Sequence, residues 1–387
     1  MLAMTYRGPY RVRVTHKPAP RIEHPRDAIV RVTRACICGS DIHLYHGLIP
    51  DTRVGHTFGH EFVGVIEEVG SEVLQHKVGD RVLVPFNIFC GECYFCQKQL
   101  FSNCHNVNPN ATAVGGIYGY SHTTGGYDGG QAQFVRVPFA DAGATKIPDD
   151  IDDDNAVLCT DAYPTGYQGA EMAGIKRGDS VVVFGAGPIG LFAAKSAWFM
   201  GAGRVLVVDE YDYRLEFARK FAQAETLNFR SVRDMVWYLK RQSDFLGWDC
   251  AVEAVGCEAR GSAFQRMLGI RPFKFMGGVA TAVNWAIDSV RKGGVVSIVG
   301  AFGPVLNSVK LGDAMNKGLT IRTNQASVKR NLPRCFHHIQ AGHINPKDII
   351  THRFPLEEIG EAYHMFTSKL DGIIKPLVIP PPVRGLH

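Results

Sequence analysis

Four short apolar runs in the first third of the chain are β-branched and broken by Gly and Pro: AIVRVTR (28–34), FVGVIEEVG (62–70), DRVLVPF (80–86) and GGQAQFVRVP (129–138). This is the pattern of strands joined by turns, so the first 150 residues predict an all-β, loop-rich unit. From Pro164 the period changes. A helical pattern runs to Gly174, followed by the apolar strand DSVVVF, a helix over PIGLFAAKSAWFMGA and the strand RVLVVDE. That is a βαβ unit, which requires a parallel sheet. Further apolar strands at DCAVEAV (249–255) and GVVSIVG (294–300), with helical patterns between, extend a doubly wound α/β sheet to about Arg322. The remainder mixes elements, with a helix at LPRCFHHIQAG and a Pro-rich tail, IPPPVRGLH, expected to fray. The predicted division is 1–163, 164–322 and 323–387.

One stretch breaks the rhythm. Residues 257–292 are more than a strand-to-strand crossover needs. Within them, 260–280 carries four basic side chains, no acidic ones and three phenylalanines. A surface excursion or oligomer contact is the favoured reading, and a flap over an anionic ligand is the sharper one.

A length of 387 residues fits two domains better than one core. With 45% apolar and 20% charged residues, the disordered and transmembrane classes are excluded. No apolar stretch reaches membrane-spanning length and MLAMTYRGPYRVRV lacks a secretory h-region, so a cytoplasmic protein without a membrane partner is expected. The net charge of +5 is spread along the chain, which argues against a nucleic-acid footprint.

Four of the ten cysteines, Cys90, Cys93, Cys96 and Cys104, form C-x2-C-x2-C-x7-C. Such spacing lets four thiolates converge on one soft divalent ion, with zinc favoured. An iron–sulfur cluster is the competing metal, but the cysteine-proline ending of ferredoxin motifs is missing. With four ligands the site should be structural. A second signal is Gly185-Ala186-Gly187-Pro188-Ile189-Gly190, a GxGxxG that follows an apolar strand and opens a helix. Its glycines permit a tight turn, close approach of a pyrophosphate, and helix–strand packing. Asp209 ends the next strand, where a carboxylate can bind ribose hydroxyls and repel a 2′-phosphate, so NAD is favoured over NADP. A third region, Cys36–His43 with Gly59-His60-Glu61, gathers thiol, hydroxyl, imidazole and carboxylate groups. Taken singly, these are ordinary polar loop residues.

Together CGSDIH, GHE, the four-cysteine loop and GAGPIG followed by Asp resemble the zinc-dependent medium-chain alcohol dehydrogenases over nearly the whole chain. VPFNxxCGxCxxC, VNP, GGxYGY, GGQA and PTGYQGA are similar to the formaldehyde-dehydrogenase-like subgroup, including its glutathione-independent type. The resemblance implies a GroES-like β-rich catalytic domain, to which 323–387 returns, plus a Rossmann domain, with the catalytic site in the cleft between them. It implies two zinc ions per subunit, one catalytic and one structural, and NAD. Cys38 and His60 would be catalytic-zinc ligands, with Asp161 at the place where the family usually has cysteine, as in the formaldehyde-dehydrogenase branch. A carboxylate there keeps the ligand charge at −2 but is a harder donor. Cys159, two residues earlier, is a rival if the segment is extended. Asp41 would orient His60, and Glu61 would sit beneath the zinc.

The implied chemistry is hydride transfer from an alcohol, or from a hydrated aldehyde such as formaldehyde, held at the open fourth zinc position. Ser40 would be the first proton acceptor, and the proton would leave through the cofactor ribose and His43. Thr165 and Val299 to Ala301 match positions near the nicotinamide, Lys375 one near the pyrophosphate, and Arg214 belongs to the expected cofactor-binding set. Gly39 departs from the family, which often has a basic residue there. A polyol or amino-alcohol dehydrogenase, an aldehyde dismutase that retains its NAD, a silent zinc- and nucleotide-binding protein and a zinc hydrolase are the alternatives. A homodimer or homotetramer follows from the resemblance alone.

Overall fold

The computed structural model describes residues 1–109, 114–258, 278–302 and 306–383, and most of the 260–280 stretch, together with the end of the tail, lies outside them. The chain forms two compact units, Met1–Pro164 with Ser327–His387, and Thr165–Ala326. No described helix is long and apolar enough to cross a membrane.

The first unit is built on a seven-stranded sheet. Its order is Ile350–Pro355, Lys375–Ile379, Ala28–Cys36, Phe62–Val69, Arg81–Val84 and Thr145–Lys146, with Phe134–Val137 also pairing with Ala28–Cys36. The strand Lys375–Ile379 runs antiparallel beside Ala28–Cys36, pairing Leu377 with Cys36, so the last part of the chain completes the sheet begun by the first. Alternation in Ala28–Cys36 puts Val30 and Val32 into a core with Phe58, Phe62, Tyr118 and Tyr363. Each such side chain contributes about 1.5–3 kcal/mol of burial. A separate pair, Leu2–Tyr6 with Val12–His16, was not anticipated from the sequence. Of GGQAQFVRVP only Phe134–Val137 is strand. Gly129 to Gln131 instead bond back to Thr57–Gly59, forming the turn that supports His60.

The second unit is a six-stranded parallel sheet. Its strands run Glu225–Asn228, Arg204–Asp209, Ser180–Phe184, Trp248–Glu253, Val290–Ile298 and Thr320–Thr323 across the sheet, which is the 3-2-1-4-5-6 order of the Rossmann fold. Its central strands Ser180–Phe184, Arg204–Asp209 and Trp248–Glu253 are buried along nearly their whole length because helices cover the sheet, whereas the edge strands Glu225–Asn228 and Thr320–Thr323 are polar; one face buries Val182, Leu206, Trp248 and Val296 together. In this topology the strand order reverses beside Ser180–Phe184, and ligands bind outside the carboxyl ends there.

Candidate functional site

Cys38 follows the strand Ala28–Cys36 and caps the helix Gly39–Tyr45. CGSDIH therefore begins a helix rather than continuing as a loop. The reason is a capping box: Asp41 Oδ2 accepts the Cys38 backbone N–H at 2.9 Å, while the Cys38 side chain faces the Asp41 backbone. This fixes Ser40 and Asp41 in the first turn, and places His43 one turn after Ser40 on the same face. His60 lies just before the neighbouring strand Phe62–Val69, at the same end of the antiparallel pair as Cys38, since Ala35 pairs with Phe62. Gly59 before it has φ +97°, and a Cβ there would lie 2.6 Å from the Gln131 side chain, so only glycine fits the approach.

The two segments meet Asp161. Cys38 Sγ is 3.6 Å from Asp161 Oδ2, and His60 Nε2 is 3.4 Å from the same oxygen. Ser40 Oγ stands 3.3 Å from His60 Nε2. One donor atom from each of Cys38, His60 and Asp161 lies within 4.8 Å of the others, and all three residues are buried. The far nitrogen of His60, Nδ1, is 3.2 Å from Asp41 Oδ1. Burial opposes charge on this imidazole, but Asp41, Cys38 and Asp161 carry its pKa well above the ordinary value. Burial pushes the Cys38 thiol up, and the nearby Glu61 adds to the shift.

Cys159 does not join this group. It caps the end of the helix Asp153–Leu158 in the αR conformation and is fully buried, with its thiol pushed up by burial. The segment is turn and helix rather than extended, so residues 159 and 161 do not share a face. His43 is buried to 6% exposure. Glu61 and Lys375 form a buried ion pair, Nζ to Oε2. Lys375, expected near a pyrophosphate, thus spends its charge on Glu61, and although burial works against its charge, that carboxylate holds the ammonium protonated well above the usual lysine range.

Two residues escaped the sequence reading. Gln131 Nε2 donates to the Cys36 carbonyl at 3.2 Å and to Asp41 Oδ2 at 3.4 Å, and Tyr363 Oη donates to Gln131 Oε1 at 2.9 Å. A buried relay of Tyr363, Gln131 and Asp41 therefore sets the position of His60. The available signal was GGQA, quoted above as a motif without a role.

In the cysteine loop, neighbouring sulfurs are 3.9 Å (Cys90–Cys96), 3.5 Å (Cys93–Cys96), 3.8 Å (Cys93–Cys104) and 3.7 Å (Cys104–Cys90) apart. A tetrahedron with bonds of about 2.3 Å to a central ion has edges of about 3.8 Å. Cys90 Sγ also accepts from the backbone of Glu92 and Cys93 at 3.5 and 3.3 Å and from Asn106 Nδ2 at 3.4 Å. The Cys96 thiol bonds to Cys104 and, against burial, brings that group down to about 5.

At the glycine turn, Gly187 caps the helix Pro188–Phe199 with Pro188 in its first turn and Ile189 following. A Cβ on Gly190 would lie 1.9 Å from the Gly185 carbonyl, so the third glycine is required for helix–strand contact, whereas one on Gly187 meets nothing within 4 Å. Asp209 organises this turn as well as ending its strand. Its carboxylate accepts N–H bonds from Ala186 at 2.7 Å, Glu210 at 2.7 Å and Tyr211 at 3.0 Å. Arg214 lies 4.0 Å from it, its guanidinium over the Tyr211 ring. Thr165 is buried on the helix Ala162–Met172. Val299 and Gly300 bond to the Glu253 carbonyl, and Ala301 accepts from Cys257 at 2.9 Å, so the turns after two central strands are tied together. The clasp is Glu253, another residue the sequence reading missed: its Oε1 accepts from Val255 and Gly256 at 2.9 and 2.8 Å.

A β-rich unit holding a buried thiol–imidazole–carboxylate group and a four-thiol loop, on one chain with a Rossmann unit, defines the medium-chain dehydrogenase architecture. Comparison with known proteins agrees. Residues 24–149 match the family described as alcohol dehydrogenase GroES-like domain. The chain is 42% identical to the uncharacterized zinc-type alcohol dehydrogenase-like protein AdhB of Bacillus subtilis, over 98% of this chain and 100% of that one. It is 33% identical to the glutathione-independent formaldehyde dehydrogenase of Pseudomonas aeruginosa, over 98% and 97%. Among solved structures, alcohol dehydrogenase TADH from Thermus sp. ATN1 superposes with a TM-score of 0.83 at 34% identity, covering 98% of this chain and 100% of that one. The chain belongs to the zinc-type alcohol dehydrogenase family of oxidoreductases, with a GroES-like domain and a Rossmann domain.

Proposed function

We propose that this protein is a zinc-dependent, NAD-linked dehydrogenase of small primary alcohols or hydrated formaldehyde. Cys38, His60 and Asp161 would hold one zinc, and Cys90, Cys93, Cys96 and Cys104 a second, structural one. The observation that carries the reading is the convergence of Cys38, His60 and Asp161 donors within 4.8 Å, all buried. One thiolate and one carboxylate balance a divalent cation, and three donors leave a fourth position open. Without a cation the same pair would be two buried acids side by side, a costly arrangement. Asp41 on Nδ1 of His60 leaves Nε2 to face the donor set, the order found where imidazole binds metal.

Zinc bound there supplies Lewis acidity toward a substrate oxygen. The chain's own residues do the rest. Ser40 Oγ, beside His60 Nε2, is the acceptor for the hydroxyl proton, and His43, one turn along the helix, is the last protein group on the proton's way out, beyond the cofactor ribose. Asp209 keeps a negative charge at the end of its strand, which disfavours a 2′-phosphate and supports NAD over NADP. The likeness to a formaldehyde dehydrogenase supports formaldehyde among the substrates. A soluble cytoplasmic homodimer or homotetramer completes the proposal.

The test is metal analysis with an NADH-formation screen over methanol, ethanol, formaldehyde, benzyl alcohol and polyols. Two zinc equivalents with turnover of a primary alcohol or formaldehyde are expected. Asp161→Ala should lose one equivalent and Cys159→Ala none. Zinc-replete protein that forms no NADH with any of these substrates would overturn the assignment.

A further inference from the structure

We propose that His56 and His122 form a third metal site, separate from the two clusters above, for a divalent transition ion of borderline softness, with Asp128 as its supporting carboxylate. His56 lies four residues before His60, in VGHTFGHE, and is 6% exposed. Its Nδ1 is 3.3 Å from Asp128 Oδ1, much as His60 Nδ1 is 3.2 Å from Asp41 Oδ1. The chain thus repeats one arrangement twice within five residues. A carboxylate on Nδ1 places the proton there and leaves Nε2 with a bare lone pair. Among the described residues Nε2 of His56 has no hydrogen-bond partner, and neither has Nδ1 of His122, although both atoms are buried. Buried polar atoms are nearly always satisfied, so two bare nitrogens on touching rings require an explanation.

The ring geometry supplies one. The centroids of His56 and His122 are 5.0 Å apart at an interplanar angle of 56°. An imidazole bound at about 2.1 Å has its centroid about 3.2 Å from the ion, so two of them at tetrahedral or right angles stand about 4.5–5.2 Å apart. The observed separation falls within that window.

The surroundings hold the pair in place. Asp128 accepts from Lys17 Nζ at 2.6 Å and from the Thr57 backbone at 3.0 Å. Although burial works against its charge, His56 and Lys17 hold it below the usual carboxylate range. The His122 ring lies against Gly126, where a Cβ would come 3.0 Å from Cδ2. Asp51, which binds the Thr123 hydroxyl at 2.7 Å, adds negative charge beside His122, opposed by Arg53. Burial, with His56 and Arg53, holds His122 below the ordinary imidazole range, so its lone pair is available at neutral pH. A second histidine pair, His338 and His343, differs: their Nδ1 atoms are 3.1 Å apart and satisfy each other on the exposed surface. That pair serves as a control.

The experiment titrates Co2+ and Zn2+ into protein already loaded with its tightly held zinc, following heat and the visible cobalt bands. Wild-type protein should take up one further equivalent. His122→Ala and His56→Gln should each lose it, and Asp128→Asn should weaken it about 10–100-fold, all with unchanged zinc content at the cysteine sites. The double variant His338→Ala/His343→Ala should retain it. His122 is only partly buried, so His122→Ala decides the matter if His56→Gln does not fold. The absence of a further equivalent in wild-type protein, or its persistence in His122→Ala, would overturn the assignment, whatever the dehydrogenase screen shows.

Discussion

Replacing Glu253 by Gln should make the protein more stable in alkaline solution and leave it nearly unchanged in acid. Glu253 is fully buried at the end of a central strand of the parallel sheet. Burial raises its carboxyl to about 7 from 4.5, with the N–H groups of Gly256, Val255 and Gly300 opposing the shift. A folded-state pKa above the unfolded one means that the folded form binds the extra proton. Between about 4.5 and 7, stability therefore falls as pH rises. From pH 5.5 to 8.5 the loss is about 1.5 units, or about 2 kcal/mol. Gln keeps the Oε1 acceptor for Val255 and Gly256 and cannot ionise, so that loss disappears. For a unit of this size the difference amounts to about 4–8 °C in Tm. The assay is thermal unfolding of wild type and Glu253→Gln at both pH values, read as the difference of differences. Equal pH dependence in the two proteins would refute the reasoning, because it would place Glu253 as an ordinary ionised carboxylate.

Lys375→Met should destabilise the protein by about 3–5 kcal/mol by stranding a buried carboxylate, and Glu61→Gln added to it should restore most of the loss in a urea titration. Asp41→Asn should weaken zinc retention at the triad about 10–100-fold against a chelator while sparing the four-cysteine site. Asp209→Asn should lower the NAD-to-NADP ratio of kcat/KM about tenfold, a change of about 1.4 kcal/mol. Asp209→Ala should in addition lose stability in a thermal melt, about 1–3 kcal/mol, because it leaves buried N–H donors without an acceptor.

Where function depends on local pattern, the sequence was readable. SVVVF, the glycine turn and Asp209 lie within one βαβ unit, and the C-x2-C-x2-C-x7-C spacing implied the sulfur tetrahedron seen in the fold. Where position depends on distant partners, it was not. CGSDIH looked like a polar loop because a cysteine is a rare cap, and its helix is closed by Asp41. The rivalry of Cys159 rested on an extended backbone that the preceding helix does not provide. Gln131, Tyr363 and Glu253 gave no signal because each acts on groups assembled by tertiary folding; Tyr363 is 232 positions from the Gln131 it holds. The pairing of Lys375 with Glu61 was hidden for the same reason, the two residues being 314 positions apart.

That distance has a consequence for biosynthesis. Cys38, His60 and Asp161 are all in the polypeptide before the nucleotide domain is made, yet Tyr363 and Lys375 come roughly 200 residues later, a delay of about 10–40 s at ordinary translation rates. Until they arrive, Glu61 has no ammonium to face and the strand Lys375–Ile379 cannot seal the sheet beside Cys36. The nascent centre therefore lacks its buried cation and its neighbouring strand while the ribosome works through the intervening domain, and closes over Glu61 only after that domain has been made.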